Sequence, residues 1–141
     1  MSDEEPMGPQ PNTIPLPRPT ALSEPWWSGC REGKIRVQRC NSCGQHVFIP
    51  QPACTKCFSV DLEWVEASTR ATVYSWTVVH RPVQPMFKTP YAIAILEFPE
   101  GFHMMSNLIG IEPDKIEIGM EVEAEFVEQS ETITLPYFRP T

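Results

Sequence analysis

The pair Cys40-Asn41-Ser42-Cys43, with Gly44 after it, and the pair Cys54-Thr55-Lys56-Cys57, with ten residues between the two pairs, decide how this chain is read. Two Cys-x-x-Cys pairs supply four soft thiolates, the ligand set of a closed tetrahedral zinc site. A two-residue gap lets each pair curl with both sulfurs pointing inward, and Gly44 supplies the positive φ that such a turn requires. The gap between the pairs is shorter than the common spacing, yet it leaves room for a tight hairpin through Val47-Phe48-Ile49. Iron in the same sulfur cage and a redox pair are the alternatives, but the βαβ pattern that houses a redox Cys-x-x-Cys is absent. Four protein ligands leave no open coordination position. The expectation is therefore one structural zinc ion on Cys40, Cys43, Cys54 and Cys57, contributing of order 10 kcal/mol of binding-linked stability.

Working outward, the residues on either side alternate with a period of two. Ile35, Val37 and Arg39 alternate with Arg36 and Gln38, and Leu62-Glu63-Trp64-Val65 forms a further short strand. Upstream, Ser23 is placed to cap a short helix with Glu24 and Pro25 in its first turn, and Gly33 is placed to stop it. Leu22, Trp26 and Cys30 fall on one stripe of that helix, with Trp27 beside it. Two adjacent tryptophans exceed what the stripe can bury, so at least one packs on another domain or another chain, and Trp26 and Trp27 are candidate partner anchors. Cys30 reads as a small buried hydrophobe. His46 adjoins a knuckle whose ligands are already complete. His80 and His103 have no Asp at a recognisable spacing, and the chain lacks GxSxG and HExxH. His80-Arg81-Pro82 closes a strand where an anionic ligand could be met.

Beyond Arg70 every signal is β: residues 71–80, 91–98, 102–111, 120–127 and 132–138, with turn-rich breaks between them. Five short strands suit a small barrel of the five-stranded OB type. Seven of the 16 prolines lie in residues 1–25, and residues 1–19 read as a Pro-rich flexible arm too proline-dense to join a core. The expected organisation is mainly β: an arm over 1–19, a helix and zinc ribbon over 20–67, and an OB-fold barrel over 68–141.

Length and charge set the outer bounds. The 141 residues fit one ordinary domain or two small ones, and the formal net charge is -7. No run of about 18 apolar residues suggests a membrane span. Met1-Ser2-Asp3-Glu4-Glu5 is acidic where a secretory signal is basic, so a cytoplasmic protein with reduced thiols is expected. Residues 31–91 hold eight Lys/Arg against four Asp/Glu, whereas residues 97–131 hold one Lys against ten Asp/Glu. That acidic half, with Glu121, Glu123 and Glu125 on one side of a strand, opposes phosphate binding and disfavours a nucleic-acid-binding zinc-ribbon/OB module.

The run Trp26–Cys40 into the double knuckle, with Tyr74–Arg81, Pro90–Ala94, Gly119–Val122 and Leu135–Pro140, resembles the domain-of-unknown-function 35 family over residues 20–141. The resemblance implies an N-terminal helix, a rubredoxin-like zinc ribbon and an acyl-CoA-associated OB fold. It further implies an accessory subunit of thiolase-superfamily enzymes or of hydratases acting on acyl-CoA. Phe102–Gly110 is most similar to members that partner lipid-transfer-protein-like aldolases, which cleave steroid-type side-chain CoA thioesters in a retro-aldol step. A hetero-oligomer, such as a heterotetramer, is the implied assembly. A MaoC-like enoyl-CoA hydratase, an acyltransferase or a thiolase is the alternative partner. Arg81 and Lys88 are the candidate contacts for the CoA phosphates. Catalysis by this chain alone lacks any nucleophile–base pair at a recognisable spacing.

Overall fold

The structure, a computed structural model, describes residues 5–141; the first four residues of the expected arm lie outside the described residues. One short helix, α1 (Glu24–Arg31), precedes strands β1 (Ile35–Cys40), β2 (His46–Val47) and β3 (Leu62–Ala67), which form a sheet in the order β2-β1-β3. Strands β4 (Arg70–Val79), β5 (Tyr91–Glu97), β6 (His103–Leu108), β7 (Glu121–Glu128) and β8 (Thr134–Pro140) close into a barrel in the order β4-β5-β6-β8-β7. A parallel contact, Leu108 against Phe138, joins β6 to β8. This is the Greek-key order of a five-stranded OB barrel.

Closure depends on β4 serving two neighbours. Its first residues pair with β7, from Arg70 opposite Glu123 to Thr72 opposite Glu121, and its later ones pair with β5. A bulge between Val73 and Ser75 gives the strand the bend that this requires. Inside the barrel, Ala92, Ala94 and Leu96 of β5 alternate inward with Val73, Val122 and Phe138. Phe98 stacks on Phe102 at 4.5 Å and meets Phe138 edge-on at 5.9 Å. Trp26, Cys30, Ile35 and Val37 belong to this same buried cluster, so helix, ribbon and barrel share one core.

Helix α1 starts directly after Ser23, the expected cap position, but no helix N–H bonds to the Ser23 side chain. Thr20 Oγ1 accepts from the Ser23 N–H at 3.1 Å, and Ser23 Oγ accepts from the Thr20 N–H at 2.9 Å. The Ser23 hydroxyl is thus spent on a reciprocal bond with Thr20, one turn upstream, rather than on the first helical N–H groups. The stop at Gly33 holds: at φ +74 its N–H reaches the Cys30 carbonyl while that of Lys34 reaches Gly29, a Schellman motif.

Two further departures from the sequence reading have one physical cause. Residues 109–111, expected to extend β6, instead pair with the proline-rich segment. The Met7 N–H donates to the Ile111 carbonyl at 3.0 Å, and the Gly110 N–H donates to the Met7 carbonyl at 2.7 Å. Met7 thereby enters the core that the proline density seemed to forbid. The prolines at 6 and 9 flank Met7 without removing its own donor, so a single residue can pair between them.

Candidate metal centre and apolar groove

The two knuckles match residue for residue. Cys40 N–H donates to the Gln45 carbonyl at 2.8 Å and Gly44 N–H to the Cys40 carbonyl at 2.9 Å. In the second knuckle, Cys54 N–H donates to Ser59 at 2.8 Å and Phe58 N–H to Cys54 at 3.0 Å. Phe58, at φ 64, thus stands where the first knuckle has Gly44. The turns bring all four sulfurs within 4.8 Å of one another, with Cys40 and Cys57 at 3.5 Å and Cys43 and Cys54 at 3.6 Å. A tetrahedron with metal–sulfur bonds of about 2.3 Å has edges of about 3.8 Å, so the cage fits one zinc ion.

The protonation chemistry agrees. Backbone N–H groups of Cys43 and Ser42 pull the Cys40 thiol down to about 6, and those of Cys57 and Lys56 lower Cys54. Against the Ser59 N–H, which lowers it, proton sharing with the Cys40 sulfur and desolvation push Cys57 up to about 12. Four thiols in one cage cannot all ionise unless a cation joins them, and a divalent metal meets that need. The ribbon's separate buried cluster holds only Cys40, Val47 and Cys54, with Leu62 packed against it. The zinc is structural and does the work of a core here.

A groove of about 750 Å³ lies on the outer face of the barrel. Its floor is formed by Ile93 and Ile95 of β5 and Met105 of β6. Its walls are Trp26 and Trp27 of α1, the ribbon loop Phe48-Ile49-Pro50, the β4–β5 loop at Phe87, and Ile14 of the proline-rich segment. Three of these walls are irregular, and two of them, the ribbon loop and the β4–β5 loop, are each held by a buried glutamine. Gln38 Nε2 donates to the Gln51 carbonyl at 2.9 Å while its Oε1 accepts from the Gln51 N–H at 2.7 Å. Gln10 treats Lys88 in the same way, donating to its carbonyl at 3.1 Å and accepting from its N–H at 2.8 Å. A side-chain amide that satisfies both main-chain groups of a loop residue replaces the missing strand neighbour.

Family models match over two adjacent spans: the ChsH2 rubredoxin-like zinc ribbon domain over residues 27–63 and the ChsH2 C-terminal OB-fold domain over 64–127. The chain belongs to the ChsH2 (DUF35) family. A solved structure described as an Ltp2-ChsH2(DUF35) aldolase superposes with a TM-score of 0.80 at 39% identity, covering 89% of this chain and 98% of that one. A "Probable enoyl-CoA hydratase alpha subunit" of Thermomonospora curvata is 42% identical over 115 residues, 82% of this chain and 36% of the relative. The 3-oxo-4,17-pregnadiene-20-carboxyl-CoA hydratase alpha subunit of Mycobacterium tuberculosis is 35% identical over 103 residues, 73% of this chain and 33% of the relative. The chain thus spans about a third of the length of these two curated relatives.

The family's fold places the remaining candidates differently from one another. Trp26 is only 7% exposed and packs on Phe48 with ring centroids 5.1 Å apart. Trp27 is half-buried, edge-on to Trp26 at 6.3 Å. Of the two expected partner anchors, Trp26 is therefore consumed inside the chain. Arg81 and Lys88 are exposed on the β4–β5 loop, and Phe87, next to Lys88, lines the groove. Cys30 is fully buried, and burial pushes its thiol up to about 12, which disqualifies it as a nucleophile. His103 sits 3.3 Å from Glu97 and packs against the Tyr74 ring at 4.6 Å, an exposed surface pair. Among the described residues no helix is long and apolar enough to cross a membrane. The groove and its two glutamine clamps escaped the sequence reading. Their signal lies in β5, where Tyr91, Ile93 and Ile95 occupy outward positions that a solvent-facing strand fills with polar residues.

Proposed function

We propose that this chain is a non-catalytic accessory subunit of an acyl-CoA-processing complex. It binds and stabilises a thiolase-like, lipid-transfer-protein-type aldolase that performs retro-aldol cleavage of a steroid-type side-chain CoA thioester. The observation that carries the reading is the likeness to the Ltp2-ChsH2(DUF35) aldolase, which extends over 98% of that chain. The chain's own chemistry supports it. The thiols offer no free nucleophile: Cys30 is sealed in the core, and the other four stand as ligands of one zinc ion. Trp27 is the partner-facing aromatic, and near the groove Lys88 meets a CoA phosphate as a point charge and Arg81 through its planar guanidinium fork. The complex works in the cytoplasm as a hetero-oligomer.

A second reading rests on the hydratase alpha subunits among the relatives, which favour an enoyl-CoA hydratase as the partner. One experiment separates the two. The chain is co-expressed with a thiolase-superfamily aldolase and, separately, with a MaoC-like hydratase of the same source, and each mixture is given CoA thioesters. The proposal expects a stable complex with the aldolase and carbon–carbon cleavage only when both chains are present. Turnover by the isolated chain, or assembly with the hydratase alone, would overturn it.

A further inference from the structure

The Gln10–Lys88 contact is a long-range one in sequence, and nothing in the metal site or the shared core requires it. Gln10 is buried, and its four main-chain and side-chain polar groups divide into two sets. The main chain is held by the barrel: its N–H donates to Tyr137 Oη at 3.2 Å, and its carbonyl accepts from Gln129 Nε2 at 3.3 Å. The side chain spends both its polar atoms on the Lys88 main chain. Segment and loop are therefore tied by separable bonds. Deleting the Gln10 side chain releases the loop and leaves the segment docked.

The loop that is released is the one carrying the candidate CoA contacts. Among the described residues, residues 80–90 have no strand partner, and the only other main-chain bond within them is a local turn from Phe87 N–H to the Gln84 carbonyl at 3.2 Å. Among the described residues neither Arg81 nor Lys88 joins a salt bridge. Without the clamp, the Lys88 ammonium would sample the full freedom of an exposed loop and a four-carbon stem. With it, the main chain from which that stem springs is fixed beside the groove.

We infer that Gln10 is a positioning residue that fixes the Lys88 main chain and so holds the Lys88 ammonium ready for a phosphate group of a CoA-type ligand at the mouth of the groove. The inference deepens the proposed function and rests on its assignment of Lys88. Two readouts test it on the full chain in complex with its partner enzyme. The first does not involve activity. Pro82 shields the bond after Arg81 from trypsin, so the bond between Lys88 and Thr89 is the one trypsin site in the loop. Gln10→Ala should speed cleavage there by about tenfold and abolish hydrogen-exchange protection of the Lys88 amide, with zinc content unchanged. Gln10→Glu keeps the acceptor and loses the donor, and should fall between the two.

The second readout is kinetic. Gln10→Ala and Lys88→Ala should each raise the KM for the thioester by about fivefold with kcat within about twofold. The double variant should match Lys88→Ala alone, because Gln10 acts only through Lys88. Additive effects, or unchanged proteolysis and exchange in Gln10→Ala, would overturn the inference. So would a raised KM in Lys88→Ala that Gln10→Ala does not share. A Lys88→Ala variant with unchanged KM would instead refute the phosphate contact itself, and the positioning role would fall with it.

Discussion

At the scale of single residues, the chain places its few strongly constrained groups where solvent cannot satisfy them. Replacing Cys43 or Cys57 by Ser removes one of four thiolates, and the ribbon has almost no apolar core to fall back on. Either variant should lose its zinc and the order of residues 40–62 while the barrel persists, as metal analysis and amide exchange would show. A red, iron-containing wild-type preparation would contradict the zinc assignment. Tyr137 makes a different demand. Its buried Oη accepts from the Gln10 N–H and donates to Gln129 Oε1 at 2.7 Å, so Tyr137→Phe strands two buried polar groups. The expected loss is about 2 kcal/mol in denaturant unfolding, together with exchange of the Met7 and Gln10 amides. Burial also raises the Tyr137 pKa above its ordinary value of 10.0, outweighing the Gln10 N–H that lowers it. The folded state therefore favours the neutral phenol. Its contribution is complete below the unfolded pKa and is lost as pH rises through the higher folded value. Wild-type stability should fall above about pH 10, and Tyr137→Phe should lack that component.

At the scale of elements, the second zinc knuckle shows what a local pattern leaves out. Phe58 adopts φ 64 and is 78% exposed, in the position that Gly44 fills in the first knuckle. A left-handed conformation costs a bulky residue roughly 1–2 kcal/mol, and the exposed ring recovers little by packing. Phe58→Gly should thus leave thermal stability unchanged or raise it by up to about 1 kcal/mol, the greater freedom of glycine in the unfolded chain offsetting part of the relief. A clear drop in melting temperature would show that the ring packs where the structure leaves it bare. The knuckles, the Gly33 stop and the strand spans of the barrel were legible because each is set by residues within one turn or one strand. The reciprocal Thr20–Ser23 bond, the early end of β6 and the Met7 pairing were not. Each needs a partner distant in sequence or a reciprocal bond, and no local periodicity encodes the meeting of Met7 with Gly110 across a hundred residues of chain. The metal site was readable for the same reason that the groove was not: four ligands fall in two short motifs, whereas the groove is assembled from a helix, three loops and a barrel face.

At the scale of the whole molecule, two consequences follow from one shared core with unequal surfaces. The first concerns charge. Glu123 bridges Arg139 at 2.9 Å and Arg70 at 3.7 Å, and Glu125 meets Arg139 at 3.3 Å, so part of the barrel's positive charge is already neutralised. An OB barrel that binds single strands needs a basic groove lined with stacking aromatics, and here the groove is apolar. An anisotropy titration with single-stranded DNA or RNA at physiological salt should show no binding at micromolar concentrations; tight, steeply salt-dependent binding would refute this. The second consequence separates the twin tryptophans. Trp26 holds helix, ribbon and barrel together, so Trp26→Ala opens a cavity in the common core and should cost about 3–5 kcal/mol of stability. Trp27 is only partly buried and lines the groove, where a partner could cover it. Aromatic anchors of this kind commonly dominate assembly, so Trp27→Ala should weaken association with the partner enzyme by about 2 kcal/mol, close to thirtyfold in Kd. Zinc content and melting temperature should stay near wild type, which distinguishes a lost anchor from a damaged fold. Calorimetric titration of each variant against the partner reads the affinity, and thermal unfolding of each variant alone reads the stability. Equal losses of stability in the two variants would mean that Trp27, like Trp26, serves only the chain's own core.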